Sequence, residues 1–200
     1  MQIITRNYTV YDYSELSAEA KEVVKQWYID DDIRTEIFSE DINYMLQEDF
    51  KNSNLKVQYS LSYRQGDGLN IYGDLWLTDI IDKINFDNFS EKEKKFILWA
   101  VKEYAQKIKL PCNHPYCYCI ARQADFRGYI EYDMEVDRIR DINYIALEKF
   151  EAACIEYFEN LCSEYEEAGY KYFYEPDETE ICEACEANDW KFTADGKFFY

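Results

Sequence analysis

The chain has 200 residues, of which 48% are hydrophobic and 18% aromatic, and its 41 acidic and 22 basic residues give a net charge of −19. This much apolar material excludes a disordered chain, and the negative charge disfavours binding to phosphate backbones or anionic membranes. We therefore expect one compact domain over residues 1–200, with an acidic helical part at 141–189 and with basic proteins as partners.

The N-terminal half alternates between strand and helix patterns. Residues 2–13 are rich in β-branched and aromatic residues and predict a strand, while apolar residues at helical spacing predict helices over 14–32 and 35–50. Alternation of apolar and polar residues in "VQYSLSYRQGDGLNIYGDLWL" (57–77) predicts a hairpin with "RQGDG" as its loop. At Gly73, in the second strand, we expect a bulge or a close approach of another backbone.

The C-terminal half contains the longer helical patterns. Ser90, with Glu93 three residues later, predicts the cap of a helix over 90–110. Further patterns predict a hairpin over 116–136, helices over 141–169 and 177–188, and a last hairpin at Asp195-Gly196. Hairpins separated by helices predict an α+β fold, in which helices cover an antiparallel sheet mainly on one face. Parallel βαβ units remain an alternative.

The loop sequence "QGDG" has two interpretations. Asp-Gly between alternating strands is the strongest short hairpin signal, because turns that need a positive φ tolerate these residues best. In the other interpretation, Asp67 is an exposed carboxylate at the loop tip that contacts a metal or a basic partner. We favour the structural turn and keep Asp67 as a predicted partner contact, since a calcium or magnesium loop would need further oxygen ligands.

Zinc-ligand residue types are concentrated in "PCNHPYCYCI", at Cys112, His114, Cys117 and Cys119. Their spacing differs from the two separated pairs of common zinc modules, although Cys182 and Cys185 could complete a site.

The N-terminus has no signal-peptide pattern, and the chain has no apolar run long enough to cross a membrane. We therefore expect a soluble cytoplasmic protein with reduced thiols, no cofactor and no enzymatic activity. The alternative is a zinc- or thiol-dependent enzyme that uses His114 and the nearby cysteines.

Negative charge is concentrated near the C-terminus, where fourteen acidic residues and two basic ones lie between Glu148 and Asp189. A run of charge on a helix is usually a solvated face, but this excess is larger than solubility requires. We predict that partner-binding carboxylates lie away from the apolar stripes of the last two helices, at Glu148, Glu151, Glu159, Glu166, Glu180, Glu183 and Glu186. Such a surface could imitate the phosphates of duplex DNA and occupy a basic nucleic-acid channel.

Three segments carry a resemblance to a known family: "YTVYDYSELSAEAKEVV", the hairpin "VQYSLSYRQGDGLNIYG", and "ICEACEANDWKFTADGKFFY". They resemble a family of small acidic accessory proteins encoded by bacteriophages, prophages and mobile elements of Gram-positive bacteria. "PCNHPYCYC" departs from the family pattern. The resemblance implies a bacterial cytoplasmic setting and, by analogy, an inhibitor of host defence such as an anti-CRISPR protein. We expect a binder of a CRISPR effector or another nuclease, with an antitoxin that neutralises a basic toxin as the alternative.

Overall fold

The computed structural model describes residues 7–30, 33–103, 107–112, 124, 126 and 141–199. The chain divides into two compact units, a central unit (Phe38–Gly169) and a terminal unit (Met1–Ile37 with Tyr170–Tyr200). The single domain expected over 1–200 stays a prediction.

Helices and antiparallel strands make up the described residues. The helices are α1 (Ala18–Ile29), α2 (Ile33–Asp49), α3 (Leu77–Ile80), α4 (Glu91–Glu103), α5 (Asp141–Tyr174) and α6 (Glu178–Ala187), and a 3-10 turn covers Tyr13–Glu15. The strands are β1 (Asn54–Ser60), β2 (Gly68–Trp76), β3 (Lys107–Leu110), β4 (Lys191–Phe192) and β5 (Phe198–Phe199). One sheet has the order β1-β2-β3 and the other pairs β4 with β5, both antiparallel. The predicted α+β fold class is confirmed.

The central unit is built around β2, which pairs with β1 on one side and β3 on the other. Because β2 is the central strand, its Leu69, Ile71 and Leu75 are buried. Aromatic rings extend this core between α2 and α5. The ring of Phe158 on α5 stacks on those of Phe50 and Phe126, at centroid distances of 5.8 and 6.4 Å, and all three side chains are buried. These contacts fix one face of α5 against the core.

Gly73 confirms the predicted close approach of another backbone. Its φ is +124°, and a Cβ atom at this position would lie 2.2 Å from the carbonyl oxygen of Asn54 on β1. Only glycine tolerates both this backbone conformation and this distance without a shift of the neighbouring strand.

Two predicted elements are corrected at their ends. The helix expected over 90–110 ends at Glu103, and residues 107–110 form β3. In β3, buried Ile108 and Leu110 alternate with exposed Lys107 and Lys109. This two-residue period is typical of a strand, and pairing with β2 favours the strand over a continuation of the helix. The hairpin loop is also longer than "RQGDG", because β1 ends at Ser60 and β2 begins at Gly68.

The strand expected over 2–13 is wrong for its described part. Residues 7–10 are not in a strand, and Tyr11 makes a single bridge to Phe192. The chain then turns, because the backbone N–H of Asp12 donates to the Glu15 carboxylate at 3.0 Å and closes a capping box. The hairpin predicted over 116–136 lies outside the described residues, apart from positions 124 and 126.

The other helix predictions are confirmed, and α5 continues past its expected end at Gly169. A Cβ atom on Gly169 would lie 2.4 Å from Cδ1 of Leu61 and 2.9 Å from Cζ of Phe38. Glycine at this position therefore makes room for neighbouring side chains and does not end the helix.

The terminal unit has its own small core, formed by α1, α6 and the β4-β5 hairpin. Its buried residues are Tyr13, Leu16, Ala20, Val24, Tyr28, Ile181, Cys185 and Phe192. The ring of Trp27 stacks on that of Phe198 at 4.7 Å with an interplanar angle of 7°. The last hairpin is confirmed, with Gly196 at φ +80° in its turn. None of the described helices is long and apolar enough to span a membrane.

Candidate partner-binding surfaces

Four of the predicted partner-binding carboxylates lie on α5 in the central unit. Three of them, on Glu148, Glu159 and Glu166, point in directions within about 20° of one another around the helix axis, and Glu151 lies closer to the buried side. Glu148 is exposed and the other three are half-buried. The opposite side of α5 is buried and carries Phe150, Cys154 and Phe158. The helix thus holds a row of carboxylates, the α5 row (Glu148, Glu159 and Glu166), on its solvent side.

Asp67 is directed into its own loop. Its carboxylate accepts hydrogen bonds from the backbone N–H groups of Arg64 and Ser62, at 2.7 and 2.6 Å, and from the Ser60 hydroxyl at 2.8 Å. These donors, with the Arg64 N–H first, lower the pKa of Asp67 to about 2. The geometry matches the interpretation of "QGDG" as a structural loop, while a contact between Asp67 and a partner stays a prediction.

The carboxylates of Asp67 and Glu166 are close enough to interact electrostatically, although the two residues are 99 positions apart in the chain. The pKa of the Glu166 carboxyl is raised, first by its partial burial and then by the negative charge of Asp67. The β1-β2 loop thus adds a second carboxylate beside one end of the α5 row.

The three predicted carboxylates on α6 belong to the terminal unit and differ in their surroundings. Glu183 and Glu186 are exposed. Glu180 is turned inward, where its Oε1 accepts hydrogen bonds from Nη2 of Arg34 at 3.1 Å and from the Tyr28 hydroxyl at 3.2 Å. In the described structure, Glu180 is therefore the counter-ion of an internal cation.

Arg34 was missed in the sequence analysis. Its side chain is only 2% exposed, and its guanidinium lies 4.5 Å from the ring centroids of both Tyr28 and Tyr172. It also donates to the carbonyl oxygen of Tyr172, while Nε and Nη1 have no acceptor among the described residues. One feature of the sequence does point to this residue. Arg34 stands four residues before the buried Phe38, in the apolar stripe of α2, where a charged side chain needs a partner.

Two pockets open on the terminal unit. The larger one, of about 380 Å³, lies between α1 and α6 and is lined by residues that include Lys21, Lys25 and Glu178. Lys21 is already paired with Glu178 at 2.6 Å. The smaller one, of about 200 Å³, lies between the 3-10 turn and α6, and we call it the α6 pocket. Its lining includes Asp12, Tyr13, Cys182, Glu186, Asp189 and Trp190.

Three of the described thiols, those of Cys154, Cys182 and Cys185, are poor nucleophiles because their pKa values are raised. Burial is the main cause in each case. It raises the pKa of Cys185 to about 11, and it also raises the pKa values of Cys154 and Cys182. Cys112 is exposed, and its thiol lies 2.8 Å from Oε1 of Gln58. Among the residues that the structure describes, no group of three or more His, Cys, Asp or Glu side chains could hold a metal ion.

The predicted zinc cluster cannot be assembled from the described part of the chain. Of its four members, only Cys112 is described, and the others, His114, Cys117 and Cys119, lie outside the described residues. The zinc site and the enzyme that would use it therefore stay predictions.

Comparisons with known protein families, with curated proteins and with solved structures give no match for this chain. The resemblance to phage-encoded accessory proteins stays a prediction from the three sequence segments.

Proposed function

We propose that this chain is a non-enzymatic inhibitor from a phage or mobile element, which binds a basic, nucleic-acid-handling defence protein of the host, such as a CRISPR effector. The observation that carries the proposal is the α5 row, Glu148, Glu159 and Glu166, on one side of a helix whose opposite side is buried. The row offers a rigid negative surface that a basic channel can receive.

The charge density of α5 supports this proposal. Seven acidic residues lie between positions 148 and 167, a stretch of about 28 Å at 1.5 Å per residue. This is roughly one charge per 4 Å, close to the spacing of about 3.4 Å per phosphate along one DNA strand. The seven carboxylates point to several sides of α5, so a channel that surrounds the helix would meet a similar density of charge, and a channel that faces only the α5 row would meet three of them.

Lys149, the basic residue in this stretch, does not neutralise the row. Its ammonium group contacts both carboxylate oxygens of Glu93 on α4, at 2.8 and 3.0 Å, and the carbonyl oxygen of Asn88 at 3.0 Å. This lysine is thus paired with a carboxylate on another helix, and α5 keeps an excess of negative charge between positions 148 and 167.

The rigidity of the helix also favours binding. The buried Phe150, Cys154 and Phe158 fix α5 against the core of the central unit. Carboxylates that are already held on a fixed helix lose less freedom on association than carboxylates on a mobile segment. Opposite charges also steer association, so we expect fast binding that weakens steeply with ionic strength.

The test is an affinity pull-down from a bacterial lysate that expresses a CRISPR effector, with elution by a salt gradient and identification by mass spectrometry. We expect a basic nuclease to bind at low salt and to elute as the ionic strength rises. Recovery of a small basic toxin would replace the nuclease with the antitoxin alternative. Failure to retain any basic protein at low salt would contradict the proposal.

A triple charge reversal tests whether α5 makes the contact. We expect E148K/E159K/E166K to abolish retention of the partner, because each reversal replaces attraction by repulsion. The matched control is E40K/D41K/E48K, which changes the net charge equally at three exposed positions on α2. Equal loss of binding in both variants would indicate a general effect of net charge and would contradict a role for α5.

A further inference from the structure

Acidic and aromatic residues both line the α6 pocket. The acidic residues are Asp12, Glu186 and Asp189, and the aromatic residues are Tyr13 and Trp190. The one cation in the lining, Lys191, lies 2.5 Å from Oδ1 of Asp12 and 2.7 Å from Oδ1 of Asp189. Two of the three carboxylates are thus satisfied by an internal lysine.

Glu186 is the carboxylate of this pocket that remains available. It is exposed, it accepts only a weak hydrogen bond from the Cys182 thiol at 3.6 Å, and it forms no ion pair with any residue that the structure describes. A cation that enters the pocket would therefore find one carboxylate that Lys191, the cation in the lining, does not already pair with.

The aromatic wall is held in place before any ligand binds. The indole of Trp190 packs edge-on against the rings of Trp27 and Phe198, at centroid distances of 5.0 and 6.3 Å. Its backbone N–H donates to the carbonyl oxygen of Cys185 at 2.9 Å. Because the ring is fixed, a ligand that stacks on it does not have to order it first.

The chain itself shows which cation suits such surroundings. Arg34 lies between the rings of Tyr28 and Tyr172 and contacts the carboxylate of Glu180. A planar guanidinium stacks on aromatic rings and binds carboxylates through parallel N–H groups, whereas an ammonium is more strongly hydrated and does not stack.

We infer that the α6 pocket receives one arginine side chain of the basic partner, with Glu186 as its carboxylate and Trp190 as its aromatic wall. The inference rests on the proposed function, which supplies a basic protein as the partner. The volume of about 200 Å³ suits a single side chain, because pockets for drug-sized molecules occupy roughly 300–1,000 Å³.

The experiment uses Nα-acetyl-arginine amide as the probe and follows the indole N–H signals of the four tryptophans by NMR in the full chain. We expect a saturable shift that is largest for Trp190, whose signal is assigned with W190F. The substitution E186Q should weaken binding of the probe about fivefold, the size of effect for an exposed charged pair. Nα-acetyl-citrulline amide, which has the same shape without the charge, should give no saturable shift.

The matched control is E183Q, which removes the same charge from another exposed position on α6. Equal weakening by E183Q and E186Q, equal shifts of all four indoles, or equal shifts with the citrulline probe would overturn the inference. A basic partner found in the lysate without arginine binding would overturn the pocket and keep the proposed function. Binding of the arginine probe without any basic partner in the lysate would contradict the proposed function and keep the pocket as an arginine-binding site.

Discussion

The ammonium group of Lys149 on α5 donates to both carboxylate oxygens of Glu93 on α4, at 2.8 and 3.0 Å. Glu93 is buried and also closes the capping box of α4, because it accepts a hydrogen bond from the backbone N–H of Ser90 at 2.6 Å. One carboxylate therefore starts one helix and joins it to another.

This pair predicts a loss of stability in acid. The hydrogen bonds from Lys149, followed by those from Ser90, lower the pKa of Glu93 to about 2 from an ordinary value of 4.5. A depressed pKa in the folded state stabilises the protein above pH 4.5, and this contribution is lost as the pH falls towards 2. We expect E93Q to lower the free energy of unfolding at pH 7 and to flatten its dependence on pH between 2 and 5.

Urea denaturation as a function of pH measures both effects. The control is E91Q, which removes an exposed carboxylate two residues earlier in the first turn of α4. An E93Q curve parallel to that of the parent chain across this pH range would show that Glu93 does not carry the acid sensitivity.

The guanidinium of Arg34 lies against the rings of Tyr28 and Tyr172. This contact predicts that a positive charge alone does not give residue 34 its full contribution to the stability of the fold. We expect R34K to lower the free energy of unfolding by about 1–3 kcal/mol, because lysine keeps the charge but loses the planar contacts with Tyr28 and Tyr172. The control is R64K at an exposed position, where surface substitutions usually change stability by less than about 0.5 kcal/mol. Thermal denaturation of both variants gives the comparison, and equal small effects would contradict a stabilising role of the stacking.

The loop contacts of Asp67 predict that Asp67→Asn loosens the β1-β2 loop. An amide cannot accept the hydrogen bonds from Ser60, Ser62 and Arg64 with the strength of a carboxylate. We expect faster hydrogen exchange at the backbone N–H groups of Ser62 and Arg64, with the core strands unchanged. Unchanged exchange together with a lost partner would instead identify Asp67 as a binding residue.

The close packing around Gly169 predicts that alanine at this position lowers the stability of the fold, although alanine favours a helix more than glycine does. Alanine in place of glycine within a helix normally stabilises it by about 0.5–1 kcal/mol. Here the added methyl group would meet Leu61 at 2.4 Å and Phe38 at 2.9 Å, so we expect G169A to destabilise the chain by about 1–3 kcal/mol. The double variant G169A/L61A should be more stable than the sum of the two single changes. A strictly additive double-mutant cycle would contradict the steric explanation.

Local patterns were sufficient to predict most elements. The capping pair Ser90 and Glu93, the hairpin at Asp195-Gly196 and the stripes of the long helices each depend on residues close in sequence. The strand β3 was missed because "KIKL" is only four residues long, and such a short stretch fits either period until its partner strand is known.

The candidate sites were less predictable because they depend on distant pairs. Glu180 was predicted as a surface contact, yet its counter-ion Arg34 lies 146 positions away in the chain. Lys149 and Glu93 are 56 positions apart, so the sequence could not show that the lysine nearest the α5 row is already used. The acidic character of α5 is readable from its composition, whereas the pairing of Lys149 with Glu93 is not.

Seven carboxylates and a single lysine lie between positions 148 and 167 of α5, and this excess of negative charge has a consequence for folding. Like charges along a helix repel one another and disfavour it in isolation, so we expect α5 to form only once its apolar side can dock. Screening by salt reduces this repulsion, and the refolding rate should therefore rise with ionic strength. The same ions weaken the attraction to a basic partner, so high salt would favour folding of the chain and dissociate its complex with the partner.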